Sequence, residues 1–82
     1  MFDILLTQTA IKDLRKIDIQ EQKRIVNKLK EFRNNPIQYA SKLKNKKIGS
    51  YRFRIGDFRV IFDLDKDNIV ILRIGHRKDI YK

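Results

Sequence analysis

The stretch Tyr51-Arg52-Phe53-Arg54-Ile55-Gly56-Asp57-Phe58-Arg59-Val60-Ile61-Phe62 decides the fold. Side chains alternate on both sides of Gly56-Asp57, a pair suited to a two-residue hairpin turn because glycine accepts positive φ. The predicted pairing sets Ile55 against Phe58, Arg54 against Arg59, Phe53 against Val60, Arg52 against Ile61 and Tyr51 against Phe62. One face then carries six apolar or aromatic side chains and belongs to a core. The other carries Arg52, Arg54 and Arg59, two of them directly opposite each other. Like charges at cross-strand positions destabilise a sheet, and a face that met only solvent would alternate signs. The pattern points to a polyanion that lies across this face and neutralises it. By the same repulsion argument, Arg59→Ala is expected to leave stability equal or slightly raised.

Charge outside the hairpin strengthens that reading. The chain has 82 residues, with 20 Lys+Arg against 10 Asp+Glu, a net charge of +10 and a pI near 10.2. Such a balance predicts association with nucleic acid or another anionic surface. Residues 42–59 hold seven basic side chains and one acidic, so more than half of the excess is concentrated in that span. The length suits one small domain, residues 1–82, with a core limited by surface-to-volume scaling. The absence of cysteine excludes a disulfide framework and thiolate metal sites, and fits the cytoplasm. Ile69-Val70-Ile71-Leu72 is the longest aliphatic run, far short of a membrane span, and the start of the chain does not read as a signal peptide.

Before the hairpin, Phe2-Asp3-Ile4-Leu5-Leu6-Thr7 reads as a strand apolar enough to lie inside a sheet. Thr7 or Thr9 caps a short helix with Ala10, Leu14 and Ile17 on one face. Asp18, with Glu21 three residues on, opens a longer helix whose stripe is Ile25, Val26, Leu29 and Phe32. Asn34-Asn35-Pro36 ends it. Residues 36–50 form a basic connection containing Lys42, Lys44, Lys46 and Lys47, anchored by Leu43 and Ile48. After the hairpin, residues 64–68 turn and residues 69–74 make a further strand. The favoured register sets Phe62 against Val70, Val60 against Leu72 and Phe58 against Ile74. It places Arg73 opposite Arg59, and the same alternation carries Arg77 to the arginine side. The expected fold class is α+β: an N-terminal strand, a two-helix hairpin, and a three-stranded antiparallel meander packed on the helices.

In this order, the central stretch, Gly75-His76-Arg77-Lys78-Asp79-Ile80-Tyr81, and Thr9-Ala10 followed by Asp13-Leu14 resemble the RelE/ParE superfamily of toxin–antitoxin toxins. The resemblance covers nearly the whole chain. It implies a RelE-like fold and a ribosome-dependent, metal-free endoribonuclease that cuts messenger RNA in the A site. It also implies a cognate acidic antitoxin, forming a hetero-oligomer with the toxin, and needs no cofactor. Arg59 and Arg77 match the arginines assigned to phosphate binding and to stabilisation of the transition state or leaving group. Tyr81 matches the near-terminal tyrosine tied to catalysis or base stacking. Arg52 and Arg54 stand where the best-studied member has lysines, which is a departure because arginine is a poor general base.

Cleavage of RNA without a metal needs a base for the 2′-hydroxyl, cations for the charge growing on phosphorus, and an acid for the leaving 5′-oxygen. Guanidinium groups suit the second task because they match phosphate oxygens bidentately and stay charged. For the base, Tyr81, His76 and one of Lys44, Lys46 or Lys47 remain open. Lys42, Lys44, Lys46, Lys47, Arg73 and Lys78 are candidates for holding the RNA backbone. No Gly-rich phosphate loop, metal-ligand cluster or Ser-His-Asp arrangement is present. Two other classes use the same residues differently: a ParE-like inhibitor of DNA gyrase without hydrolysis, and a homologue that binds only RNA or antitoxin.

Overall fold

The central hairpin forms in the expected register, with all five cross-strand pairs as read from the sequence. Gly56, at φ 59°, supplies the left-handed conformation that the tight turn requires. The computed structural model describes residues 1–44 and 47–81. In chain order the elements are β1 (Asp3–Leu6), α1 (Gln8–Arg15), α2 (Ile19–Phe32), α3 (Pro36–Tyr39), β2 (Ala40–Lys42), β3 (Tyr51–Ile55), β4 (Phe58–Asp65) and β5 (Asn68–His76). The strands make one sheet in the order β1-β5-β4-β3-β2.

At the two edges of the sheet the structure differs from the sequence reading. First, β1 lies at the edge of the sheet, parallel to β5, with Leu5 half exposed. Second, the connection over residues 36–50 contains structure of its own, the short α3 and then β2, which pairs with β3 at the opposite edge. Pro36 at the start of α3 explains the restart, because its missing N–H costs nothing in a first helical turn.

Both longer helices begin where polar caps predict. The Thr7 hydroxyl accepts from the Ala10 N–H at 3.1 Å, and the Asp18 carboxylate accepts from the Gln20 N–H at 3.1 Å. Ala10, Ile25, Leu29 and Phe32 pack onto Phe53, Val60, Phe62, Ile69, Ile71 and Ile74. Val26, read as part of the stripe, is exposed instead. Phe53 and Phe62 stack with centroids 4.2 Å apart, and both are fully buried. Each is worth about 2–3 kcal/mol of apolar burial.

The register of β5 is corrected. A two-residue turn at Lys66-Asp67 pairs Asp65 with Asn68 and so sets Phe62 against Ile71. Regular pairing beyond that point would turn Arg73 into the core. A bulge between Ile61 and Phe62 shifts the ladder, so Val60 meets Ile74 and Phe58 meets His76. Ile71 and Ile74 are an odd number of residues apart and face the same side only because the bulge inserts one extra residue. β1 stops short of this region, and α1 serves the open edge instead. The Thr7 hydroxyl donates to the Leu72 carbonyl at 3.2 Å, and Asp13 Oδ2 accepts from the Ile74 N–H at 3.0 Å. Backbone groups of a sheet edge are thereby paired rather than left open.

Candidate functional site

On the face away from the helices, Arg54 and Arg59 stand opposite each other and Arg52 lies beside Ile61. Two segments fold over this face. The loop after β2 is closed by a Leu43 N–H to Ser50 carbonyl bond of 3.0 Å and tied to β4 by Ser50 N–H donating to Asp63 Oδ1 at 2.8 Å. It brings Gly49 against Ile61 so closely that a Cβ there would collide with it, and Ile61 is fully buried. The second segment is the C-terminal turn, residues 77–81. Its Arg77 N–H donates to the Asp57 carbonyl at 2.8 Å, and Ile80 is buried against Gly75. Tyr81 follows, and Arg52 Nη1 donates to its hydroxyl at 2.9 Å.

A groove of about 420 Å³ lies between the two segments, lined by Lys42, Leu43, Lys44, Ile48, Arg52 and Tyr81. Beside it, Arg59 is only 6% exposed, and its Nη1 donates to the carbonyls of Gly56 and Phe58, each at 2.9 Å. Burial lowers the Arg59 pKa from its ordinary value, and the charges of Arg54, Arg52 and Arg77 push the same way. A guanidinium stays protonated under such pressure, so the cluster concentrates positive potential instead of shedding it. Arg52 Nε is buried with no hydrogen-bond partner among the described residues. An unpaired donor within a cluster of four guanidiniums is a place where an acceptor-rich anion gains most.

The structure brings Arg52, Arg54, Arg59, Arg77 and Tyr81 together, with Lys42 and Lys44 on the rim of the groove. Lys47 and Lys78 are exposed on the flanking loop and turn, and Lys46 lies outside the described residues. Arg73 is not part of the cluster. Gly75 occupies the place opposite Arg59, while Arg73 Nε donates to Asp13 Oδ2 at 2.8 Å. The turn at Lys66-Asp67 and the bulge each shift the register by one residue, so Arg73 meets Ile61 instead of Arg59. His76 is also set apart: it pairs with Phe58, whose side belongs to the helix-covered face, and meets that ring edge-on at 5.7 Å.

Asp13 is not among the candidate site residues read from the sequence. Burial raises its pKa, but hydrogen bonds from Arg73 and the Ile74 N–H, with the Arg73 and Lys16 charges, outweigh this and hold it below the ordinary value. Its phase was a usable signal, since Ala10, Asp13, Leu14 and Ile17 follow the spacing of one helix face. A carboxylate on that inner face needs a partner.

A small α+β fold with a helix-backed sheet, an opposite face of clustered guanidiniums and a C-terminal tyrosine defines a class of small basic domains. Comparison with known proteins makes the class specific. Residues 4–81 match the family described as "ParE toxin of type II toxin-antitoxin system, parDE". The chain is 34% identical over 82 residues to Toxin RelE3 of Methanocaldococcus jannaschii, covering 95% of this chain and 93% of that protein. It is 30% identical over 88 residues to Toxin RelG of Mycobacterium tuberculosis, covering 99% and 97%. The toxin–antitoxin complex RelBE2 from Mycobacterium tuberculosis contains a chain that superposes with a TM-score of 0.83 at 25% identity, covering 93% of this chain and 98% of that one. The chain therefore belongs to the RelE/ParE family of type II toxin–antitoxin toxins. Among the described residues no helix is long and apolar enough to cross a membrane.

Proposed function

We propose that this toxin is a ribosome-dependent endoribonuclease that cleaves messenger RNA on its arginine face and so stops translation. The observation that carries the reading is the convergence of Arg52, Arg54, Arg59 and Arg77 with the Tyr81 hydroxyl on one sheet face. In the reaction, the 2′-hydroxyl oxygen attacks the adjacent phosphorus, and the bond to the 5′-oxygen breaks. A 2′,3′-cyclic phosphate and a 5′-hydroxyl result, with one proton removed at the 2′-oxygen and one delivered to the leaving oxygen. Arg59 and Arg77 stabilise the charge on the phosphoryl oxygens. Tyr81 is the acid or base candidate on that face, and Arg52 orients its hydroxyl. Lys42 and Lys44, with Lys47 and Lys78 further out, hold the flanking backbone. The ribosome supplies the remaining positioning of the message in its A site.

The partner follows from charge. Similar solved structures are complexes of a toxin with its antitoxin. An acidic antitoxin segment that folds on binding would neutralise a chain of net charge +10. Its association should be fast and should slow as salt rises, measured by stopped flow; an on-rate indifferent to salt would remove the electrostatic part of this reading.

The family description that matches bears the ParE name, which favours gyrase inhibition as the second reading. Induction in cells separates the two. Message cleavage with arrested translation, abolished by Arg59→Ala and by Arg77→Ala, supports the nuclease. DNA-damage signalling with intact messages supports the gyrase inhibitor, and full toxicity in both variants overturns the assignment of the arginine face.

A further inference from the structure

The turn that carries Arg77 and Tyr81 onto the arginine face belongs to neither a strand nor an extended helix. His76 is the residue on which it hinges. The His76 carbonyl accepts from the Asp79 N–H at 2.9 Å and from the Ile80 N–H at 3.0 Å. Its imidazole Nδ1 accepts from the Lys78 N–H at 3.1 Å. The ring itself is held edge-on against Phe58 on the other side of the sheet. One residue thus ties the turn by backbone and by side chain, with the side chain on the face opposite the arginine cluster.

We propose that His76 is a positioning residue: its imidazole, seated against Phe58, accepts the Lys78 amide and so fixes the turn that presents Arg77 and Tyr81. The activity consequences rest on the nuclease reading above. A side-chain acceptor bonded to the backbone N–H two residues on is the geometry of an Asx turn, which Asn and Asp make with a carboxamide or carboxylate oxygen. Here an imidazole makes it. The bond assigns a bare Nδ1 and a proton on Nε2. That assignment gives His76 a role unlike acid–base catalysis. The imidazole borders a pocket of about 390 Å³ that also holds Asp13, Lys16, Asp18, Arg73 and Asp79. Arg52 and Tyr81 line a different groove.

The test compares His76→Ala and His76→Asn with the wild type, by NMR amide exchange and by message cleavage on ribosomes. His76→Ala should lower the protection factors of the Lys78, Asp79 and Ile80 amides about tenfold, the scale of one lost hydrogen bond. It should lower kcat about tenfold and change KM less than about twofold. His76→Asn, whose Oδ1 can take the place of Nδ1, should restore both to within about threefold. An Asn variant as inactive as the Ala variant but with an ordered turn would make His76 an acid–base group and overturn the proposal. Unchanged protection in His76→Ala would also overturn it. If the wild type cleaves no message, the nuclease reading fails, while amide exchange still decides the positioning role.

Discussion

The helix-covered face of the sheet and the arginine face are built from the same strands on opposite terms. On the first, Phe53, Val60, Phe62, Ile69 and Ile71 are fully buried in one apolar cluster. On the second, alternate residues of β3 and β4 place Arg54 opposite Arg59, with a loop and a short turn as their cover. Hydrophobic burial is non-directional, so the first face holds itself together. The second gathers like charges and must be held by its neighbours: Gly56 and Phe58 carbonyls for Arg59, Tyr81 for Arg52. Stability sits on one side of the sheet and the cost of a charged site on the other.

Substitutions can break this contrast, and their expected effects on stability descend in order. Phe53→Ala should cost about 3–5 kcal/mol in denaturant unfolding, because it empties a fully buried site between Phe32 and Phe62. Asp13→Ala should cost about 1–2 kcal/mol by releasing the Ile74 N–H and Arg73 together. Arg59→Ala should cost about 1 kcal/mol, since two carbonyls lose a charged donor while repulsion from Arg54 and Arg52 is relieved. This reverses the sign that repulsion alone suggests. Message cleavage by the same variant should fall at least ~100-fold, a far larger effect than its stability. Tyr81→Phe should change stability by less than ~1 kcal/mol, because its bond to Arg52 is on the exposed side of the groove.

Asp13 also sharpens the comparison through pH. Its pKa is lowered in the folded state, so its contribution is fully present above the ordinary carboxylate range. That contribution is lost as pH falls through the folded value. Asp13→Asn should flatten this acid limb of the stability curve, measured by thermal melting across a pH series. A limb unchanged in the variant would assign the effect to other carboxylates.

Much of this was legible in the sequence because alternation is a strong constraint. The hairpin from Tyr51 to Phe62, the caps at Thr7 and Asp18, and the helix stripe at Ile25, Leu29 and Phe32 follow from local patterns. The third strand did not, because Val70, Leu72 and Ile74 make as regular an apolar set as Ile69 and Ile71. Only the tight turn at Lys66-Asp67 and the bulge decide between them, and neither carries a glycine signal. Arg73 was set opposite Arg59 for that reason: a register shift moves a side chain to another partner without altering its identity. The three-residue β2 was hidden in a lysine-rich connection, where charge obscures strand propensity.

The most direct measurement of the arginine face is cleavage of a message carrying a single 2′-deoxy nucleotide at the mapped cut site. It would be run in a reconstituted translation reaction with the purified toxin. Attack by the 2′-oxygen on this face requires that the unmodified message yield a 5′-hydroxyl fragment and that the deoxy message survive intact. Arg59→Ala and Arg77→Ala should leave both messages whole. Equal cleavage of the two messages by the wild type, or message loss undiminished in both arginine variants, would contradict it.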